Sequence, residues 1–196
     1  MQSKASLKWL LLIISIIGII FFLIIIFFLI FFLPGHAYNY YAKSAPYTPG
    51  LPIRLEIPKI NVDAAIIPVG VAENGSMEAP SGPKEVGWFK LGSRPGDDGS
   101  AVIDGHYGYW KGGVESVFDD LNKLRKGDEI YVEDDNGVTA TFVVRKILTY
   151  DQNEDTSDVF SSSDQQAHLN LITCEGIWNG AQKTYSNRLV IFTDKE

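Results

Sequence analysis

An uninterrupted apolar stretch near the amino terminus constrains this chain more than any other feature of its sequence. Residues 9–33 (WLLLIISIIGIIFFLIIIFFLIFFL) carry no charge over 25 positions. A helix of this length would span roughly 37 Å at about 1.5 Å per residue, which is enough to cross a bilayer. Because the apolar core of a cleaved signal peptide is usually only about 7–15 residues long, we predict an uncleaved membrane anchor.

The charges that flank the anchor predict its orientation. Two lysines precede it, and no Lys or Arg follows until position 43. The positive-inside rule therefore predicts a cytoplasmic tail (residues 1–8) and an extracytoplasmic remainder, held at the cell membrane by a single pass. Residues 34–50 are rich in Tyr, Pro, Ser and Gly and are expected to form a stalk. Residues 51–196 then have the size of one domain.

The charge balance excludes nucleic acid as a default partner. Residues 34–196 contain 15 Lys and Arg against 24 Asp and Glu, a net charge of −9, and such a surface repels phosphate backbones and anionic lipid. The scattered carboxylates of residues 151–166 are typical of a solvated loop. We therefore expect no metal and no cofactor.

Short apolar or alternating runs, separated by turn residues, predict a mainly β domain. Residues 134–137 (DDNG) end in Asn-Gly, which favours the tight turn of a hairpin. One short helix is expected at residues 117–124, where three apolar side chains fall on one face. About eight short strands with barely any helix indicate a small closed barrel or a sandwich, and we favour the barrel. The predicted strands include residues 53–57, 64–69, 100–103, 130–133, 138–148, 169–174 and 189–193.

The single cysteine, Cys174, has two interpretations. Its flank (LNLITC) is a buried-strand pattern, and free Cys is among the most buried residue types, so an inert core thiol is one of them. However, an unpaired cysteine in an extracytoplasmic domain suggests a reactive or intermolecular thiol. Cys174 also ends a strand just before Glu175-Gly176, and loops at strand ends are where sites are built.

A thiol nucleophile needs a base, and the chain has three histidines. His36 falls in the stalk. His168 shares the strand parity of Cys174 but lies roughly 20 Å away along extended chain. His106 follows an apolar strand in a glycine-flanked loop and remains as the candidate base, although a lone histidine is more often a surface or packing residue.

An anion stabiliser would complete such a site, and Arg188 opens the last predicted strand. If the last two strands pair antiparallel through a loop at residues 175–187, Cys174 and Arg188 lie side by side. The alternative is an exposed edge-strand arginine whose stem covers apolar surface.

Taken together, these residues resemble the sortase family, the membrane-anchored cysteine transpeptidases of Gram-positive-type cell envelopes. The LITC sequence ending at Cys174 is similar to the family's T-L-x-T-C-type motif, and RLVI from Arg188 is similar to its R-[LV]-V strand. The resemblance covers residues 51–195 in the right order and is closest to the class E or F members. The other matching segments are residues 54–62 (RLEIPKINV), 87–89 (GWF), 95–96 (PG), 101–106 (AVIDGH) and 124–128 (LRKGD).

The resemblance implies an eight-stranded β-barrel that recognises an L-P-x-T-G-like sorting signal on secreted proteins. By this likeness Cys174 would attack the threonine carbonyl to give a thioester, and His106 would serve as acid and base. Arg188 and the backbone N–H of Glu175 would hold the oxyanion. The acyl group would pass to an amine, from a peptidoglycan cross-bridge or a protein lysine, or to water in a processing protease.

Two rival interpretations remain open at this stage. One is another anchored Cys-His enzyme, such as an L,D-transpeptidase, although the Ser-His-Gly-Cys motif of that class is missing around Cys174. The other is a non-catalytic, membrane-tethered β-domain that binds envelope proteins or glycans, in which Cys174 would be buried and inert.

Overall fold

The structure is a computed structural model that describes residues 3–32 and 48–196, except residue 111. The chain divides into two compact units, one with the amino-terminal helix and one with the carboxyl-terminal domain. Helix α1 (Ser3–Phe32) contains a segment, Trp9–Leu29, that is long and apolar enough to cross a membrane. Most of the predicted stalk, including His36, lies outside the described residues.

The domain is a closed eight-stranded barrel, which confirms the predicted fold class. Around the barrel the strand order is β1-β2-β3-β4-β7-β8-β6-β5. The β2–β3 and β4–β7 pairs are parallel, and the other pairs are antiparallel. The strands are β1 (Pro52–Ile57), β2 (Val62–Val69), β3 (Val86–Phe89), β4 (Gly99–Gly105), β5 (Glu129–Asp134), β6 (Thr139–Asp151), β7 (Ala167–Asn179) and β8 (Thr184–Lys195).

Alternation along each strand divides the side chains between the barrel interior and its outer face. On β4, Ile103 belongs to the buried interior cluster. Its neighbour Val102 packs on the outer face with Val190, Phe192 and Val159. Val159 comes from the one-turn helix α2 (Ser157–Phe160), which lies within the predicted loop at residues 151–166. The barrel therefore carries a second apolar cluster outside its core, beneath α2.

The predicted helix at residues 117–124 is wrong. The structure has a single 3-10 turn there, Leu121–Lys123. Phe118, Leu121 and Leu124 are all fully buried, and Asp119 reaches back to bond the backbone N–H groups of Gly108 and Ser116. These tertiary contacts hold the segment against the barrel, and they outweigh the local helical pattern.

Candidate active site

The register of β4 and β7 places His106 and Cys174 next to each other, because the two strands run parallel and the last matched pair is Gly105 with Thr173. His106 directly follows the end of β4, and Cys174 is the next residue of β7. The carboxyl ends of neighbouring parallel strands are where the side chains of a site converge.

The Thr173 side chain links β7 to β4 one residue before Cys174 and His106. Its hydroxyl, fully enclosed in the barrel, donates to the carbonyl of Gly105 at 2.7 Å. Gly105 is equally confined, since a Cβ there would lie 2.4 Å from the Phe118 ring. The threonine before the cysteine and the glycine before the histidine therefore both fix backbone geometry.

Arg188 is the direct partner of Cys174 across the antiparallel β7–β8 pair. The sequence predicted this neighbour but not the length of the strands that produce it. β7 continues to Asn179 and β8 begins at Thr184, so the expected loop at residues 175–187 is a hairpin with a short turn. The structure thus pairs Cys174 with Arg188 on adjacent strands and places His106 at the end of β4 in line with them, so the three residues form one row.

The His106 ring is held by contacts on two sides. Its Nε2 lies 2.7 Å from the carbonyl oxygen of Pro80, and the Trp110 ring packs against it with 4.6 Å between ring centroids. A carbonyl only accepts hydrogen bonds, so Nε2 carries a proton and donates it. Nδ1 is then the nitrogen available to take up or release a proton. Neither Pro80 nor Trp110 was identified from the sequence.

Three aromatic side chains, Tyr107, Trp178 and Tyr185, pack together beside the loop that carries His106. Tyr185 of β8 makes edge contacts with Tyr107 and Trp178, at centroid distances of 5.3 and 5.1 Å. Gly108 has a φ of +85°, and a Cβ there would lie 2.3 Å from the Tyr185 hydroxyl oxygen. Glycine is therefore required at position 108, where the backbone has a positive φ and lies against the Tyr185 side chain.

Cys174 is half-buried on the outer face of β7 and does not belong to the core. Burial raises the pKa of its thiol above the ordinary value, the positive charge of Arg188 opposes that rise, and the negative charge of Asp104 adds to it. At neutral pH the resting side chain is therefore a thiol, and a base is needed to produce the thiolate nucleophile.

Arg188 is anchored along its own strand. Its Nη1 donates to the carbonyls of Tyr185 and Asn187, and its Nη2 donates to the Thr184 hydroxyl. A guanidinium has five N–H donors, so two of them, including Nε–H, have no partner among the described residues. These two donors are available for an oxyanion.

Asp104 is a fourth ionisable group near this row, and sequence analysis assigned it no role. It lies two residues before His106, on the outer face of β4 with Val102. Burial raises the pKa of its carboxyl to about 6, against the opposing influence of His106, the Gly105 N–H and Arg188.

The third histidine serves elsewhere. His168 is buried at the start of β7, where Nδ1 lies 2.7 Å from an Asp194 oxygen and Nε2 lies 2.9 Å from an Asp164 oxygen. This network joins the segment before β7 to β8, far from Cys174, as the strand spacing predicted.

A cavity elsewhere on the barrel is separate from the three candidate residues. A polar cavity of about 370 Å³ lies on another part of the barrel, lined among others by Asn61, Asp63 and Glu115, and none of the three candidate residues borders it. Within residues 3–32 and 48–196, residue 111 excepted, no group of three His, Cys, Asp or Glu side chains is placed to hold a metal ion.

Comparisons with known proteins agree with this architecture. A Sortase domain model matches residues 55–196. Sortase C-1 from Actinomyces oris is 27% identical to this chain, with a TM-score of 0.57. The match covers 74% of this chain and 72% of that chain. Sortase C1 from Streptococcus agalactiae, in a complex with MTSET, is 25% identical, with a TM-score of 0.57. The match covers 74% of this chain and 66% of that chain.

A more distant structure shows the fold alone. A lid mutant of sortase A from Corynebacterium diphtheriae is 21% identical, with a TM-score of 0.57 and coverage of 77% and 73%. No curated protein sequence matches the chain at a significant level. The family match spans most of the chain and the whole barrel beyond β1, and the chain therefore belongs to the sortase family, whose members are transpeptidases.

Proposed function

We propose that this chain is a membrane-anchored cysteine transpeptidase that cleaves an L-P-x-T-G-like sorting signal between Thr and Gly. It then transfers the acyl group to an amine of the cell envelope. The observation that supports this most directly is the row of His106, Cys174 and Arg188 across β4, β7 and β8, which unites a base, a thiol and an anion-binding group.

In the first half of the reaction, the Cys174 thiol loses its proton to His106 and Sγ attacks the threonine carbonyl carbon. The carbonyl oxygen becomes an oxyanion, which the free N–H donors of Arg188 stabilise, together with the backbone N–H of Glu175. The C–N bond to glycine then breaks, and the amine leaves with a proton from His106 Nδ1. The product is a thioester on Cys174.

In the second half, an acceptor amine replaces the leaving group. His106 removes its proton as the nitrogen attacks the thioester carbon, and Sγ departs and regains a proton. One imidazole can act as base and acid in turn because the proton that it accepts in one step is released in the next. If water takes the place of the amine, the same steps release a free carboxylic acid.

The surface next to Cys174 supports an extended, partly apolar peptide as the substrate. Ile172, two residues before the cysteine, and Leu148 of β6 are partly exposed around buried Val190 on the outer face. Apolar side chains such as the Leu and Pro of the signal would pack on this surface and place the threonine carbonyl near Sγ.

The anchor suits this role. Secreted precursors emerge at the same membrane face, so tethering raises the effective concentration of enzyme and substrate. The orientation, with the amino terminus in the cytoplasm and the domain outside, rests on the positive-inside pattern. The class E or F assignment and the identity of the acceptor stay predictions.

The test incubates the full chain in detergent with a library of L-P-x-T-G-like peptides, with and without an added amine. Intact-protein mass spectrometry should detect an acyl adduct on Cys174 that disappears into an amine-linked product. An adduct that only water removes would identify a processing protease. If no adduct forms and the thiol resists small labelling reagents, the non-catalytic binding domain is the better interpretation.

Substitutions assign the roles. Cys174→Ala and His106→Ala should abolish turnover while thermal unfolding stays unchanged. Arg188→Ala should slow turnover by roughly 10²–10³, as loss of an oxyanion donor does in other enzymes. Turnover at the wild-type rate in any of the three would remove that residue from the mechanism.

A further inference from the structure

The strand registers order the outer face near Cys174 into parallel rows. The first row is His106, Cys174 and Arg188. In the next row, Asp104 is matched with Ile172, and Ile172 with Val190. Rows on one face are separated by two residues, roughly 6.6 Å along the strand. Asp104 is thus the acidic member of the row adjoining the catalytic one.

The charged and titratable groups that interact electrostatically with Asp104 are His106, which directly follows its strand, and Cys174 and Arg188 from β7 and β8. Helix α2 also packs against β4 and carries Asp158, whose carboxylate accepts a hydrogen bond from Tyr150. On the other side of Asp104, β3 places Gly87 opposite it, which has no side chain. The Asp104 carboxylate accepts a hydrogen bond from the backbone N–H of Gly105.

At this range a carboxylate changes the proton affinity of its neighbours. Its negative charge disfavours the thiolate of Cys174 and so keeps the proton on the sulfur. Arg188 has the opposite influence on the thiol, so the two charges act against each other across Cys174.

We propose that Asp104 is a positioning residue of the transpeptidase, whose carboxylate, one row from Cys174, sets the pH range in which the Cys174 thiol reacts. This inference rests on the proposed function for its catalytic consequence, but its electrostatic basis does not depend on any substrate. Removing the charge while keeping the shape should move the pH profile of Cys174 to lower pH.

The first test needs no substrate. The chain has a single cysteine, so alkylation by iodoacetamide, followed by intact-protein mass spectrometry, reports on Cys174 alone. In the full chain in detergent, Asp104→Asn should shift the midpoint of the alkylation rate to lower pH by about 0.5–1 unit. Asparagine keeps an acceptor for the Gly105 N–H, which preserves the local backbone.

Two further variants provide controls. Asp98→Asn removes the same charge from an exposed side chain just before the opposite end of β4 and should leave the alkylation midpoint unchanged. Asp104→Glu keeps the charge and should retain the wild-type midpoint. A midpoint that stays fixed in Asp104→Asn, or that shifts equally in Asp98→Asn, overturns the proposal.

The second test is the pH profile of kcat/KM for the best sorting peptide. Asp104→Asn should move the limb of this profile that reports ionisation of Cys174 to lower pH by a similar amount. A merely structural role for Asp104 would lower the rate at every pH without moving the profile, and that result also counts against the proposal. If no peptide reacts but the alkylation midpoint shifts, the proposed function fails while the electrostatic role of Asp104 is supported.

Discussion

Replacing Gly105 by alanine would test how closely the barrel packing controls the position of His106. An added Cβ would lie 2.4 and 2.6 Å from two carbons of the Phe118 ring and 2.9 Å from a Val117 methyl group. Ordinary carbon contacts are about 3.5–4.0 Å, so the fully buried ring would have to retreat by about 1 Å. Overpacking of this kind usually costs about 1–3 kcal/mol.

A shift of Phe118 would also displace His106. The backbone N–H of Phe118 donates to the His106 carbonyl at 3.0 Å, so moving Phe118 displaces the residue that carries the imidazole. Misplacement of a catalytic group by about 1 Å can cost roughly 10²-fold in rate. Gly105→Ala should therefore reduce stability moderately and activity strongly.

Urea unfolding of the full chain in detergent, followed by Trp fluorescence, and peptide turnover would measure the two effects. Gly180→Ala is the matched control, because a Cβ there would meet only Trp178 Nε1, at 3.8 Å. It should change the free energy of unfolding by less than about 0.5 kcal/mol.

A smaller side chain at position 118 should partly relieve the strain. The double variant of Gly105→Ala with Phe118→Leu should be more stable, by about 1 kcal/mol, than the sum of the single effects predicts. If Gly105→Ala is as stable and as active as the wild type, the packing of Phe118 does not control His106 and this reasoning is refuted.

Two further predictions concern charge. Hydrogen bonds from Ser162 and then from His168 hold the pKa of Asp164 below its ordinary value. A carboxylate of this kind stabilises the fold above its unfolded pKa of about 4, and that contribution is lost as the pH falls toward the lower folded value. Asp164→Asn should therefore have a lower urea midpoint than the wild type at pH 7, and the difference should shrink below about pH 4; a constant difference would contradict the assignment. At the candidate active site, burial raises the pKa of the Cys174 thiol, and the positive charge of Arg188 opposes this rise. Arg188→Gln should therefore shift the midpoint of iodoacetamide alkylation to higher pH. A shift to lower pH would show that the guanidinium does not act on the thiol.

Local patterns in the sequence were sufficient for the strands and for the candidate residues. Alternation identified most of the barrel strands, and the Asn-Gly turn was correct: Gly137 has a φ of +76° and its N–H bonds the Asp134 carbonyl. Residues 87–89 were identified only as a motif and not as part of a strand. The four residues of β3 show no alternation, because Val86, Gly87 and Trp88 are all buried.

The errors occurred where distant contacts override a local pattern. Residues 117–124 have apolar spacing typical of a helix, but hydrogen bonds from outside the segment hold it in another conformation: the Asp119 carboxylate accepts from the Gly108 N–H, and the Phe118 N–H donates to the His106 carbonyl. The last two strands extend beyond the barrel because Trp178 and Asn179 pair with Tyr185 and Thr184 in a hairpin. No apolar alternation marks those polar and aromatic residues as strand.

The sequence by itself determined the apolar anchor segment, the strand content and the choice of Cys174, His106 and Arg188, since each depends on residues close together in the chain. Only the tertiary structure decided that β4 lies parallel to β7, which brings together residues 68 positions apart at the Thr173–Gly105 hydrogen bond. It also decided that Asp104 adjoins the row of His106, Cys174 and Arg188. Strand register is a long-range property, fixed by packing across the closed barrel, and local periodicity carries no information about which strands become neighbours.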